Sequence, residues 1–283
     1  MRRVISFLIL LGALVMMALP LWAAADDSFT PDGASRIVVK VRGATGFLFK
    51  PTAGSSKTGR PWLWYAPTRL DLPPDHQYPN VRTHWLFSRL LAKGVWIAGV
   101  DVGESYGGPA GRAIFSKFYK TVTSKYHLSR QPCFLGQSRG GLMDFNWAEE
   151  NPGDVRCIAG IYPVLSLTKW PAAGTPEFTQ AAAAYGFTSE TEYQKQLVQL
   201  SPIANAGPLA KAKIPIFILH GDSDQRVPVE ENSRPFAAAY TALGGAIELV
   251  IVPGKGHEEV DEYFKSDRLL DFLLHQLANP TTP

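Results

Sequence analysis

Apolar and polar residues follow two periodicities along this chain. The segments 95–102 (VWIAGVDV) and 214–221 (IPIFILHG) are nearly continuous apolar runs, which are typical of strands that are covered on both faces of a sheet. In the segment 81–93 the apolar residues recur at helical spacing up to Gly94, which predicts a helix closed by glycine. Strands and helices therefore alternate here.

The alternation continues to the end of the chain and indicates an α/β fold with a mainly parallel sheet. The right-handed crossover rule places helices on both faces of such a sheet. The predicted strands lie at 35–43, 46–51, 62–67, 95–102, 132–136, 155–162, 214–221 and 247–254, and the predicted helices at 81–93, 113–127, 139–150, 230–243 and 263–277.

One segment interrupts this alternation. Residues 163–213, which follow the sixth strand, contain no convincing strand and include alanine-rich and polar stretches. Connections of that length without a role are uncommon in compact domains. We therefore expect a small, mostly helical insertion over one edge of the sheet, which acts as a lid and shapes a pocket.

The first residues have the three parts of a secretory signal peptide. A basic MRR is followed by an apolar segment at 4–22 and a small-residue AAA at 23–25. The sequence thus predicts a signal peptide at 1–25, one folded domain at 26–283, and export to the periplasm or the medium. An uncleaved membrane anchor is the alternative, because 4–22 is nearly long enough to span a bilayer.

Composition narrows the range of partners. The net charge is +3, and removal of the two arginines in 1–25 leaves +1. No basic run is present that would follow nucleic-acid phosphates. No residue cluster has metal-ligand spacing, and no dinucleotide-binding motif follows a strand. We expect no nucleic-acid partner, no membrane partner after cleavage, no metal and no cofactor.

The two cysteines, Cys133 and Cys157, each begin an apolar strand-like run. The interpretation that we favour is two small buried hydrophobic residues. A disulfide is the alternative, because the compartment is oxidising and the two strands are candidates for neighbours.

The segment 133–142 (CFLGQSRGGL) contains the pattern G-x-S-x-G around Ser138. In a nucleophile elbow this pattern joins a strand to a helix through a sharp turn, and the order predicted here is the same. The serine of such a turn has a strained backbone, and Gly136 and Gly140 must lack side chains to allow close passage. Ser138 is therefore a candidate nucleophile.

A serine hydroxyl needs a base and a group that orients the base. Among the six histidines, His257 is distinctive because VPGKGHEEV places it in a glycine-flanked loop after the last strand. The segment ILHGDSDQRVP offers Asp222 and Asp224 after the preceding strand, and His220 there is interpreted as a structural residue. Ser138, Asp224 and His257 follow the chain order of the α/β-hydrolase triad.

These motifs resemble a known family. GQSRGG, HGDSDQRVP and PGKGH are similar to motifs of the α/β-hydrolase superfamily, and in particular to the catalytic domain of the prolyl oligopeptidase (S9) family and related esterases. The resemblance implies an α/β-hydrolase fold, with Ser138 as nucleophile and His257 as general base and then acid. It implies that Asp224 orients His257, because the fifth position of HGxxD bears that role in similar proteins, and Asp222 is the alternative.

The same fold implies an oxyanion hole made of two backbone N–H groups. One belongs to Arg139, which follows the nucleophile. The other is expected near Tyr65 and Ala66, because Pro67 has no N–H. The segment WLWYAPT contains no glycine and departs from the HGGG-type loop of lipases, which argues against esters of bulky tertiary alcohols.

The side chain of Arg139 has two interpretations. A serine–arginine pair at the elbow also resembles the glucuronoyl esterases, and a guanidinium there would bind an oxyanion or a substrate carboxylate. Alternatively, Arg139 opens the helix and forms an ion pair. Four aromatic residues, Trp62, Trp64, Tyr106 and Trp170, are candidates for a pocket wall, although core or lid packing is the interpretation that we favour. Arg139, Tyr106 and Trp170 are the candidate substrate-binding residues.

The sequence thus predicts an exported serine hydrolase that acts through an acyl-enzyme. A carboxylesterase is the preferred interpretation, with a small-molecule or carbohydrate ester as substrate. The alternative is an S9-like serine peptidase for small peptides, although the chain before Arg36 is too short for the propeller that gates peptides in prolyl oligopeptidases. A non-catalytic binding protein of the same fold would show a degraded triad, and the triad here is intact.

Overall fold

The computed structural model describes residues 30–31, 34–52, 59–73 and 76–278, so the predicted signal peptide lies outside the described residues. One sheet of eight strands, in the order β1-β2-β4-β3-β5-β6-β7-β8, runs through the molecule. The strands are β1 (Ala34–Val41), β2 (Ala44–Pro51), β3 (Trp62–Ala66), β4 (Trp96–Val100), β5 (Cys133–Gln137), β6 (Cys157–Ile161), β7 (Ile216–Gly221) and β8 (Ile247–Val252).

The sheet is mainly parallel, as the sequence predicts. The first two strands pair with each other and with β4 in antiparallel fashion, whereas every pair from β4 through β3 to β8 is parallel. All residues of β3 to β7 are buried, because helices cover both faces. The carboxyl ends of these strands therefore meet at one rim of the sheet.

Helices cover the two faces in two separate hydrophobic clusters. One cluster contains side chains of α2, α3 and α8, and the other contains those of α1, α9 and α10. The helices are α1 (His84–Ala92), α2 (Pro109–Lys125), α3 (Gly140–Glu150), α4 (Pro176–Ala184), α5 (Glu190–Gln196), α6 (Pro202–Asn205), α7 (Gly207–Lys211), α8 (Ser233–Ala242), α9 (Asp261–Phe264) and α10 (Asp267–Ala278).

Most helix boundaries differ from the prediction by a few residues, and two differences have a clear local cause or form. Helix α2 begins at Pro109, four residues before the predicted start, because proline is favoured in the first helical turn, where its missing N–H costs nothing. The last predicted helix is divided into α9 and α10 by a break at Lys265 and Ser266.

The insertion at 163–213 is mostly helical, as predicted, and consists of α4 to α7. It leaves the sheet from β6, which has β5 and β7 as neighbours. Its apolar side chains, among them Phe178 and Tyr193, form a third cluster with Leu142 of α3 and with Tyr106. The insertion therefore packs on α3 and on the loop before α2.

Cys133 and Cys157 form a disulfide with a Cα–Cα distance of 4.5 Å. The expectation of two unpaired buried cysteines is therefore wrong. The two residues are register partners in the neighbouring parallel strands β5 and β6, and this adjacency of two strands that are 24 residues apart cannot be read from their sequences alone. Within the described ranges, no helix is both long and apolar enough to cross a bilayer.

Candidate active site

Ser138 lies in a sharp turn between β5 and α3. Its φ of 52° places a non-glycine residue in the left-handed region, where a β-carbon is strained. Neighbouring backbone holds this conformation, since the Ser138 N–H donates to the Ile161 carbonyl at 3.0 Å and the Ser138 carbonyl accepts from Gly141 at 2.9 Å and from Val164 at 2.8 Å. The turn therefore has the strained geometry that its sequence predicts.

The glycines of the turn allow close backbone contacts. A β-carbon at Gly140 would lie 2.1 Å from the Ala66 carbonyl oxygen, and one at Gly136 would lie 3.1 Å from the Cα of Gly141. Gly141 itself has no room, because its β-carbon would lie 2.7 Å from Pro163. Strand β3 and the segment after β6 thus enclose the turn from two sides.

Three side chains form a continuous hydrogen-bonded relay at the rim of the sheet. The Oγ of Ser138 lies 2.8 Å from Nε2 of His257, and Nδ1 of His257 lies 2.7 Å from Oδ2 of Asp224. The residues follow β5, β8 and β7, whose carboxyl ends lie at one rim. This is the arrangement of a nucleophile, a base and a group that orients the base.

The Asp224 carboxylate is fully buried but well provided with donors. Its Oδ1 accepts from the backbone N–H of Arg226 at 2.9 Å and of Val227 at 2.8 Å. Burial by itself would raise the pKa of Asp224, but the hydrogen bonds from His220, His257 and Val227 outweigh it and hold this pKa well below its usual range. Asp224 is therefore an anion that fixes the orientation of His257.

Asp222 and His220 hold the loop rather than His257. The Oδ1 of Asp222 accepts from the Gly254 N–H at 2.7 Å. The buried His220 places Nε2 at 2.7 Å from the Val227 carbonyl and Nδ1 at 2.7 Å from the Ser233 hydroxyl. A carbonyl can only accept, so Nε2 carries the proton and Nδ1 accepts from Ser233.

The region of the predicted second oxyanion donor is crowded. The Tyr65 hydroxyl is buried and donates to Oε1 of Gln137 at 2.6 Å, and the Ala66 carbonyl faces Gly140. Pro67 is the residue of this strand end that lines the cavity beside Ser138. A second donor from Tyr65 or Ala66 stays a prediction.

The Arg139 side chain forms an ion pair and also lines the cavity. Its Nη1 contacts Oε2 of Glu104, and the same oxygen lies 3.7 Å from Nη1 of Arg69. The guanidinium lies over the ring of Trp170 at 5.4 Å. Since its side chain is still 37% exposed, Arg139 combines an ion pair with access to the cavity.

None of the candidate aromatic residues lines the cavity beside Ser138 in the described structure. Trp62 and Trp64 are fully buried in the core, where Trp64 stacks on Phe134. Tyr106 is buried, donates to Gln180 at 3.2 Å and packs 5.7 Å from Trp170. Trp170, which belongs to the insertion, thus contacts both Tyr106 and the lining residue Arg139.

A cavity of about 320 Å³ opens beside Ser138. The insertion at 163–213 contributes no residue to its wall among those that the structure describes, although Trp170 of the insertion contacts the lining residue Arg139. The proline-rich connection between β3 and α1 forms much of the wall instead. The lining residues are Pro67, Arg69, Leu72, His76, Tyr78, Gln137, Ser138, Arg139, Tyr162, Arg226, His257 and Glu259.

Sequence reasoning missed Glu259 and Arg226, although both lie in quoted motifs, PGKGHEEV and HGDSDQRVP. Oε1 of Glu259 accepts from Nε2 of Gln137 at 3.0 Å, and Oε2 accepts from Nδ2 of Asn80 at 3.1 Å. Glu259 lies two residues after His257, and Arg226 lies two residues after Asp224. This proximity could have predicted them, because residues beside catalytic positions lie at the same rim of the sheet. In the described ranges, no group of three metal-ligating side chains occurs.

Comparison of the sequence with known proteins identifies the family of this chain. Residues 115–280 match the model of the prolyl oligopeptidase family, which is more than half of the chain and includes Ser138, Asp224 and His257. The chain belongs to the prolyl oligopeptidase family. It is thus a hydrolase of the S9 type, as its motifs predict.

A curated relative supports the same family over part of the chain. Acylamino-acid-releasing enzyme 2 of Oryza sativa subsp. japonica is 28% identical over 134 residues, which are 44% of this chain and 17% of that protein. This member of the prolyl oligopeptidase family therefore spans only a small part of its relative.

Solved structures show the fold. The dipeptidyl peptidase 4 of Porphyromonas gingivalis is 17% identical with a TM-score of 0.64, and the match covers 86% of this chain and 35% of that one. The puromycin-hydrolyzing peptidase of Mycobacterium tuberculosis is 15% identical with a TM-score of 0.67, and the match covers 88% of this chain and 40% of that one. The acylaminoacyl peptidase of Pyrococcus horikoshii is 15% identical with a TM-score of 0.65, and the match covers 88% of this chain and 42% of that one. The fold is that of an α/β-hydrolase.

Proposed function

We propose that this member of the prolyl oligopeptidase family is a serine peptidase that cleaves small peptides through an acyl-enzyme. The relay from Asp224 through His257 to Ser138, at the wall of a 320 Å³ cavity, is the observation that carries the proposal. A cavity of this size admits a small ligand rather than a folded protein.

The proposed reaction has two halves. His257 takes the proton of Ser138 as Oγ attacks the scissile carbonyl, and it then gives that proton to the leaving amine. Water attacks the acyl-enzyme with His257 again as base, and the acid product leaves as Ser138 regains its proton. Asp224 holds His257 in the tautomer with its proton on Nδ1. The N–H of Arg139, with one from Tyr65 or Ala66, would bind the oxyanion.

The choice of peptide over ester rests on the relatives. Their printed names are peptidases, puromycin hydrolases and acylamino-acid-releasing enzymes, so the peptidase alternative has more support than the carboxylesterase first inferred from the sequence. The charge of Arg139 was the reason to consider esters of acidic sugars. The ion pair with Glu104 partly neutralises that charge and weakens this reason.

Export is proposed as well. The MRR, apolar and AAA order of the first residues indicates it, and the buried disulfide between Cys133 and Cys157 supports it, because such bonds persist in oxidising compartments. Mass spectrometry of the protein from the periplasm or medium should give a mature chain that begins near Asp26.

Two measurements test the peptidase proposal. A fluorophosphonate probe should label the wild type but not Ser138→Ala, because only Oγ is activated by His257. A panel of p-nitroanilides, short peptides and aryl esters should then show amide cleavage. Labelling without cleavage of any amide, together with rapid ester turnover, would restore the esterase interpretation.

A further inference from the structure

Tyr162, the residue that follows β6, has a strained backbone. Its φ is 35°, and a bulky side chain rarely adopts a positive φ because its β-carbon crowds the neighbouring carbonyl oxygen. Strain of this kind persists only where the surroundings hold the residue, and it concentrates at active sites. The Tyr162 side chain is only 1% exposed, and it lines the cavity beside Ser138.

The main chain on both sides of Tyr162 is bonded to the nucleophile turn. The Ile161 carbonyl accepts from the Ser138 N–H at 3.0 Å, and the Val164 N–H donates to the Ser138 carbonyl at 2.8 Å. The N–H of Tyr162 itself donates to the Leu219 carbonyl of β7 at 2.8 Å. The Tyr162 side chain therefore starts from a backbone whose position relative to Ser138 is fixed.

The ring of Tyr162 packs against the imidazole of His257. The two ring centroids are 4.4 Å apart, and the ring planes are inclined by 50°. Hydrogen bonds to Ser138 and Asp224 hold the two nitrogens of the imidazole, but they leave the ring free to tilt about the line that joins these two contacts. A neighbouring ring in van der Waals contact opposes this tilt, because the tilting atoms would collide with it.

Tyr162 is itself held on two sides. Its hydroxyl accepts from Nε2 of Gln137 at 3.2 Å, and the ring of Tyr263 packs edge-on against it with a centroid distance of 4.9 Å, a favoured arrangement of aromatic pairs. The Tyr263 hydroxyl donates to the carbonyl of Gly256 at 3.0 Å. One aromatic cluster thus contacts the residue before the nucleophile and holds the loop that carries His257.

We propose that Tyr162 is a positioning residue whose ring holds the imidazole of His257 at the tilt in which Nε2 points to Oγ of Ser138. The inference rests on the relay of the proposed function and applies to any carbonyl that this relay attacks. Burial and the charge of Glu259 keep the pKa of the Tyr162 hydroxyl well above its usual value, so this hydroxyl stays neutral. The positioning role therefore belongs to the ring.

Two variants of the full-length protein separate the ring from the hydroxyl. Tyr162→Leu removes the ring and should lower kcat about 100-fold, because a misplacement of about 1 Å in the catalytic groups costs about that factor. KM should stay within about twofold, since the loss affects the transition state and not substrate binding. Tyr162→Phe keeps the ring and loses one neutral hydrogen bond, so kcat should fall by no more than about fivefold.

The maximal rate of inactivation by the fluorophosphonate probe and its half-saturating concentration give the same separation without any peptide substrate. An equal loss of kcat in Tyr162→Phe and Tyr162→Leu would assign the role to the hydroxyl and overturn the proposal. A higher KM with an unchanged kcat in Tyr162→Leu would indicate a substrate contact and overturn it as well.

The Nδ1 proton of His257 provides a readout that does not depend on turnover. Its hydrogen bond to Asp224 shifts this proton to low field in the ¹H NMR spectrum, and His257→Ala identifies the resonance. The signal should be sharp in the wild type and in Tyr162→Phe. It should be broadened or absent in Tyr162→Leu, because a tilting imidazole exchanges this proton with water. An unchanged signal in Tyr162→Leu would contradict the proposal.

Tyr240→Leu is the matched control, because Tyr240 is equally buried and lies in the hydrophobic cluster on the other face of the sheet. Its hydroxyl also has one partner, the Ile214 carbonyl at 2.6 Å. This variant should lower the melting temperature but leave kcat and the low-field signal unchanged. An equal loss of kcat in Tyr240→Leu would indicate a general effect of core packing and contradict the proposal.

If Tyr162→Leu does not fold, the wild type still decides the question. A nuclear Overhauser effect should connect the ring protons of Tyr162 and His257, and its absence would overturn the proposal. The expected variant effects on fluorophosphonate labelling, without cleavage of any amide, would overturn the peptidase function and leave this inference intact. Amide cleavage with equal kcat in Tyr162→Leu and the wild type would overturn this inference alone.

Discussion

Two aspartates in one short loop have different environments, and this difference decides their roles in the geometry. Asp224 is buried and bonded to His257, while Asp222 is exposed and accepts from Gly254 across the loop. The motif HGxxD points to the first of these, but the sequence does not reveal that Arg226 and Val227 N–H groups also donate to it. Those donors keep a buried carboxylate ionised.

Asp144 is the opposite case, a buried carboxyl group without a partner. It lies in α3 under the elbow, with Oδ2 3.2 Å from a β-carbon built on Gly136, and neither of its oxygens has a hydrogen-bond partner in the described structure. Burial raises the pKa of Asp144 well above its usual value. The folded protein therefore keeps a proton that the unfolded chain loses above pH about 3.9.

This difference predicts a pH-dependent stability. Because the native state binds the extra proton, the free energy of unfolding should fall as pH rises above about 4, by up to about 1.4 kcal/mol per pH unit from this group. Asp144→Asn should remove that slope. Urea denaturation at pH 5, 6.5 and 8 measures it, with Asp271→Asn as the exposed control on α10; parallel curves for wild type and Asp144→Asn would contradict the prediction.

Among the elements, the strand–turn–helix unit around Ser138 was the easiest to predict. The apolar CFLG and the glycines on both sides of Ser138 define β5, the turn and α3 almost to the residue. The insertion was harder, because its helical composition is visible whereas its packing on α3 depends on long-range contacts with Leu142 and Tyr106. Local patterns carry no such information.

The elbow also predicts the effect of a methyl group. In Gly140→Ala the new β-carbon would lie 2.1 Å from the Ala66 carbonyl oxygen, so β3 or α3 must shift. We expect the free energy of unfolding to fall by about 1–3 kcal/mol. We also expect a strong loss of fluorophosphonate labelling. Gly153→Ala is the control, because its β-carbon would meet nothing within 4 Å. Equal labelling of both variants would contradict this close contact.

At the scale of the whole molecule, the sequence predicts the α/β order, the strand rim and the three relay residues, because each depends on local pattern and chain order. It does not predict the strand neighbours. The pairing of β5 with β6, the disulfide and the wall of the cavity all follow from contacts between distant segments. The proline-rich connection between β3 and α1 was interpreted only as a loop, yet it lines the cavity with Arg69, Leu72 and Tyr78.

The disulfide predicts a change in global stability. It closes a chain segment with a sequence separation of 24, and the loss of that constraint from the unfolded state corresponds to about 3 kcal/mol. Replacement of both Cys133 and Cys157 by alanine should lower the free energy of unfolding by about that amount. Urea denaturation compares the variant with the oxidised wild type, and an unchanged midpoint and slope would contradict the prediction.

The position of the cavity wall has a consequence for protein engineering. The reacting groups follow β5, β7 and β8, while the connection between β3 and α1 supplies a large part of the wall. Part of the cavity wall is therefore encoded in a stretch of the gene that contains none of the three relay residues. Exchange of that connection would reshape this part of the wall and leave Ser138, Asp224 and His257 unchanged, because loops tolerate substitution better than the strands that they join.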